Sequence, residues 1–103
     1  MTNRELLEAA AKAAGYTLEE HYDANGLYWP WCLELEDNWC PLTDDGDALR
    51  LAVTIGLVVD CSRPSAGEPY KQHAIWLDEL CDNATLTRRA IVRAAAEIGR
   101  NMK

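Results

Sequence analysis

Phenylalanine is missing from this 103-residue chain, histidine and serine each occur twice, and acids outnumber bases seventeen to ten. Each scarcity excludes something. Without phenylalanine, the large side chains of the core must come from the four tryptophans, the four tyrosines and the aliphatics. Ser62 and Ser65 share one short stretch with no nucleophile elbow or glycine-rich oxyanion segment, which removes the usual frame of a serine hydrolase. Neither G-x-x-x-x-G-K-[ST] nor G-x-G-x-x-G occurs, so a nucleotide-handling enzyme lacks its phosphate cradle. The apolar run Gly56-Leu57-Val58-Val59 is far shorter than the ~20 residues needed to cross a bilayer. Nothing near Met1 resembles an export signal, so the expected compartment is the cytoplasm, with no membrane contact.

Charge is unevenly spread. Residues 1–82 hold sixteen acids against five bases, and residues 83–103 hold one acid against five bases. Affinity for nucleic acid comes largely from Lys and Arg neutralising phosphates, so an acidic body with a net charge of −7 disfavours direct binding of DNA or RNA. The length matches one domain, and a 49% apolar fraction supports one core.

Thr2-Asn3-Arg4-Glu5 has the form of a capping box, opening a helix that runs to about Ala14 and ends at Gly15. Its apolar stripe, Leu6, Ala9, Ala10, Ala13 and Ala14, is mostly alanine, so its partner must approach closely. A β-hairpin follows, with strands at residues 17–22 and 27–35 around the turn Asp23-Ala24-Asn25-Gly26. In its second strand Trp29, Trp31, Leu33 and Leu35 share one face, read as the core face, and Pro30 places that part of the strand at a sheet edge or bulge. Asp44, Asp45 and Asp47 lead into a helix ended by Gly56, with Thr43 or Asp44 as the cap. Leu57 to Cys61 reads as an interior strand, residues 62–69 as a loop and Tyr70 to Leu77 as a fourth strand. A last helix runs from Asn83 or Thr85 to about Met102. The expected fold is α+β: a single-domain α/β/α-type sandwich of order αββαββα, its three helices packed on a sheet of about four mainly antiparallel strands.

Candidate chemistry is sparse. Cys32, Cys40, Cys61 and Cys81 contain no C-x₂-C pair and read as buried, reduced thiols, not as zinc ligands or disulfides. Asp44, Asp45 and Asp47 lack the spacing of a calcium loop and read as helix capping. Arg89, Arg93 and Arg100 share one side of the last helix and read as a solvated face. Trp29, Pro30 and Trp31 are either a core staple, the reading favoured by the missing phenylalanine, or a docking surface. An enzyme would have to draw on Cys40, Cys61 and His73, which no pattern brings together.

The stretch Trp39 to Val53, W-C-P-L-T-D-D-G-D-A-L-R-L-A-V, resembles a motif of small tailed-phage and prophage proteins. R-R-A-I-V-R-A-A-A-E-I-G-R at Arg88 to Arg100 and E-L-L-E-A-A-A-K-A-A-G at Glu5 to Gly15 extend the likeness to phage ABA sandwich domain proteins of unknown function. Cys40 departs from it, since such proteins more often carry Asn before the Pro-Leu pair. The resemblance implies a phage origin and a sheet with helices on both faces, and brings no cofactor or catalytic residue. The combined expectation is a non-enzymatic accessory protein that binds a bacterial host protein, for instance an anti-defence or anti-CRISPR inhibitor with an acidic face. Its contact residues would be Trp29, Trp31, Glu34, Glu36, Asp37, Asp44 and Asp45. The alternative is a structural or self-associating phage protein that forms a homodimer.

Overall fold

The computed structural model describes residues 2–69 and 82–102. The element order is α1 (Asn3–Ala14), β1 (Leu18–Tyr22), β2 (Tyr28–Cys32), β3 (Asp37–Asn38), α2 (Asp45–Ile55), β4 (Val58–Asp60), β5 (Ser65–Gly67) and α3 (Asn83–Arg100). Among the described residues the class is α+β, with three helices and two antiparallel sheets, one ordered β1-β2-β3 and the other pairing β4 with β5. The strand expected over Tyr70 to Leu77 lies outside the described residues.

The helix ends are written in the local sequence. Thr2 and Glu5 close the capping box at α1, and Gly15 ends the helix at φ 80°. Asp44 caps α2 through the Asp47 N–H, and Asp82 caps α3 through the Thr85 N–H. The alanine stripe of α1 does meet a close partner. Ala10, Ala11, Ala90, Ala95 and Ala96 are all buried, and α1 packs along α3. At that crossing the Gly99 Cα faces the carbonyl of Ala9, so closely that an added Cβ would overlap it.

Two expectations about the strands are corrected. The face of β2 that enters the core carries Pro30 and Cys32, while Trp29 and Trp31 are only half-buried on the opposite face and Leu33 is exposed. The core position meant for those tryptophans is filled by Trp39, fully buried, with Tyr16 edge-on to its ring at 5.7 Å. Leu57 to Cys61 is likewise not the buried run expected of it. Val58 is 46% exposed, and among the described residues β4 pairs with β5, inside the stretch read as a loop. The Asp60 carboxylate makes that hairpin by accepting the N–H groups of Ser62 and Arg63 and the Ser62 hydroxyl.

Pro30 shows why β2 is both a central and an edge strand. β3 pairs with Trp31 and Cys32, and the next ladder bond runs from the Trp39 N–H to the Pro30 carbonyl at 3.0 Å. Proline returns no N–H, so the pairing stops there.

Four carboxylates sit below their ordinary values through hydrogen bonds to the charged form. Glu5 is held down by the Thr2 N–H and hydroxyl, Glu34 by the Thr17 N–H, Asp60 by the Arg63 N–H and then Ser62, and Asp82 by the Thr85 hydroxyl and N–H. A depressed native value means stability present above the ordinary values of 3.8 to 4.5 and lost as pH falls through the native ones. The urea midpoint is therefore expected to hold steady down to about pH 5 and to fall continuously below it. A midpoint flat to about pH 2 would contradict these caps.

Candidate functional site

The outer face of the β1–β2 hairpin collects an aromatic cluster. Antiparallel register sets His21 opposite Trp29 and Glu19 opposite Trp31, and alternation turns all four side chains away from α1. The His21 ring stacks on Trp31 at 5.5 Å with the planes 4° apart, and meets Trp29 edge-on at 4.8 Å. Trp29 and Trp31 lie 6.2 Å apart at 72°. Glu19 Oε1 lies 3.3 Å from His21 Nε2, which adds an acid to the rim. The rings bury one another, which is how two tryptophans stand half-exposed on a small protein without a helix over them among the described residues.

The other expected contact residues separate into two groups with structural duties. Glu34 receives the Thr17 N–H at 2.6 Å and the Thr17 hydroxyl at 2.9 Å, closing the hairpin's open end. Glu36 turns the chain at φ 52°, and Asp37 accepts the Asn38 N–H. Asp44 is the α2 cap, and Asp45 binds Arg88 Nη1 at 2.5 Å. Trp29 and Trp31 are thus brought together, and four of the five acids hold hydrogen bonds or an ion pair within the fold. His21 and Glu19 were missed. The signal was the turn at residues 23–26, which fixes the pairing and puts both beside the tryptophans.

The stretch from Trp39 to Asp47 is a structural joint. The Cys40 N–H donates to Asp47 Oδ2 at 3.0 Å, and the Thr43 and Asp44 N–H groups donate to the Cys40 carbonyl. Arg88 reaches across from α3 and donates through Nε to the Leu42 carbonyl at 2.9 Å. Burial pushes the Asp47 carboxyl above its ordinary value, and Asp44 and Asp37 add to the rise against the Cys40 N–H. Its sign is opposite to that of the four caps: the contribution is present below 3.8 and lost as pH rises through the native value. Asp47→Asn keeps an acceptor for Cys40 and should stay within about 1 kcal/mol of the parent at pH ~7. Asp47→Ala strands a backbone N–H and should lose about 1–3 kcal/mol. Equal losses for the two in urea melts would show that the hydrogen bond is not what Asp47 supplies.

Thiols divide by position. Cys32 is buried, with burial raising its thiol above the ordinary value, Cys40 is half-buried, and Cys61 is exposed, against the expectation that all are buried. Cys81 and His73 lie outside the described residues. Among the described residues, no group of three or more His, Cys, Asp or Glu is placed to hold a metal ion, and no helix is long and apolar enough to cross a membrane. Arg100 pairs loosely with Glu97 at 3.8 Å on the basic side of α3.

A second concave surface, a cavity of about 440 Å³, lies between α2, α3 and β4, lined by Ala48, Leu49, Val59, Cys61, Thr87 and Ile91. Leu49 and Val53, one turn apart on α2, are 64% and 71% exposed beside it. No protein-family model, curated protein or solved structure matches this chain.

Proposed function

We propose that this chain is a non-enzymatic phage or prophage accessory protein that acts by binding a bacterial host protein through the outer face of its β1–β2 hairpin. An anti-defence inhibitor, of the anti-CRISPR kind, is the sharpest form of this reading. The α/β/α layering of the phage proteins it resembles belongs to the same proposal. The observation that carries the binding role is the Trp29–His21–Trp31 cluster, half-exposed on a sheet face that no described helix covers. Tryptophan is enriched at binding hot spots, because a large rigid ring buries much area at low entropy cost. Glu19 on its rim and a net charge of −7 favour a partner with a basic surface and fast, salt-sensitive association.

The test is affinity capture from bacterial lysate at low and high salt, with the parent protein and a Trp29→Ala/Trp31→Ala variant shown by circular dichroism to be folded. The expected result is a protein released by salt and lost with the double variant. Equal capture by the folded double variant would sink the reading.

A structural, self-associating phage protein is the second reading, and exposed Leu49, Val53 and Val58 favour it. Sedimentation at rising concentration separates the two, since self-association predicts a dimer that Leu49→Glu/Val53→Glu returns to monomer.

A further inference from the structure

The hairpin's free edge offers a second mode of contact. β1 is the outer strand of its sheet and, among the described residues, pairs with β2 alone. The ladder is bounded by the bonds from the Leu33 N–H to the Thr17 carbonyl and from the Asp23 N–H to the Leu27 carbonyl, both 3.0 Å. Antiparallel bonding alternates, so Glu19 and His21 also face β2, and the backbone groups of Leu18, Glu20 and Tyr22 point out of the sheet. Such a row is a template for another strand.

Both flanks of that edge are shaped. On the inner side a groove of about 280 Å³ runs between β1 and α1, lined by Glu8, Ala11, Lys12, Tyr16, Glu20 and Tyr28, among others. On the outer side stand Glu19, His21 and Trp31. Charges at the edge are Glu8, Glu19 and Glu20, with Asp23 and Glu34 at its two ends, against Arg4 and Lys12. Arg4 is bound by Glu8 and Glu20 and lies 4.6 Å above the Tyr28 ring, while Lys12 Nζ donates to the Met102 carbonyl.

We propose that β1 is a strand-addition site for an extended, cationic segment of the partner protein, a proposal that rests on the hairpin being the docking surface. Main-chain bonds to Leu18, Glu20 and Tyr22 supply affinity, and alternate side chains are read on the two flanks. Inward-pointing Arg or Lys side chains lay their stems along Tyr16 and Tyr28 with their charge near Glu8 and Glu20, as Arg4 already does over Tyr28. Outward-pointing ones meet Glu19. The surplus of acid over base selects a cationic occupant. A second copy is disfavoured, because antiparallel pairing across this edge sets Glu20 opposite the Glu20 of the other copy.

The probe is a short peptide alternating Arg and Val, titrated against the whole chain and followed by backbone amide shifts. Its controls are a Glu/Val counterpart and a version N-methylated on the amides that would face β1. The expected result is shifts at Leu18, Glu20 and Tyr22, with both controls roughly ten-fold weaker or worse. Glu20→Pro removes an outward N–H without touching the β1–β2 ladder, and should weaken binding by a similar factor. Equal binding by the N-methylated or the acidic peptide would overturn the proposal, as would a dimer through this edge in sedimentation. Failure here is distinct from failure of the docking reading. Lysate capture lost with Trp29→Ala/Trp31→Ala but unchanged by Glu20→Pro would leave a face-on interface and no strand addition.

Discussion

Gly99→Ala is expected to destabilise this protein by about 3 kcal/mol or more, although alanine is the better helix former by about 1 kcal/mol. The reason lies at the α1–α3 crossing. A Cβ on residue 99 would stand 1.8 Å from the Ala9 carbonyl oxygen and 2.7 Å from its carbon. Both are backbone atoms of a helix and have no rotamer by which to move aside. The helices would have to separate along a contact lined by buried Ala10, Ala11, Ala95 and Ala96, which is already closely packed. Urea unfolding of the two proteins reads the sign directly. A gain would mean that α1 and α3 do not meet at this point, and the order of the core would have to be redrawn.

Trp39→Ala is expected to cost about 3–5 kcal/mol, which for a chain of this length is a large part of its stability. Trp39 is fully buried where β3 leads into the joint before α2, with Tyr16 on one side. Its indole Nε1 is buried and, among the described residues, has no hydrogen-bond partner. An orphaned donor detracts by about 1–3 kcal/mol, so the ring is held by its area and packing, not by its polar edge. Trp39→Phe deletes that donor and keeps most of the ring, and should cost clearly less than the alanine variant. Equal costs for the two variants would mean that the aromatic volume is not what the site requires.

The helices and the hairpin were legible in the sequence because each rests on local chemistry. The capping box at Thr2 and Glu5, the Asp44 cap, Gly15 and Gly56 act within a few residues of themselves. The same holds for the turn that sets His21 against Trp29. What local pattern does not carry is the sign of an alternating strand. Trp29 and Trp31 alternate with Pro30 and Cys32, and either set can face inward. Trp39, from a different part of the chain, takes the large core site, so small Pro30 and Cys32 suffice beneath it and the tryptophans turn outward around His21.

β5 was illegible for another reason. Ser65-Ala66-Gly67 has little strand propensity, and it forms because Asp60 ties the turn and α3 covers the result. Of the seven residues expected at an interface, the five acids lie at turns and caps, where carboxylates accept backbone N–H groups or meet Arg88. Sequence shows that they are acidic, and only the fold shows that most are already engaged. The two tryptophans stand together on the outer face of the hairpin and not in the core. Their half-exposure is what gives the hairpin a face to offer.

Comparing the unfolding free energies of Trp31→Ala and Trp39→Ala tests that outward placement most directly. With Trp31 on the hairpin's outer face, its loss should be about 1 kcal/mol, the worth of an aromatic pair with part of its area, against about 3–5 for Trp39. Losses of the same size at both positions would put Trp31 in the core and leave no aromatic surface for a partner to bind.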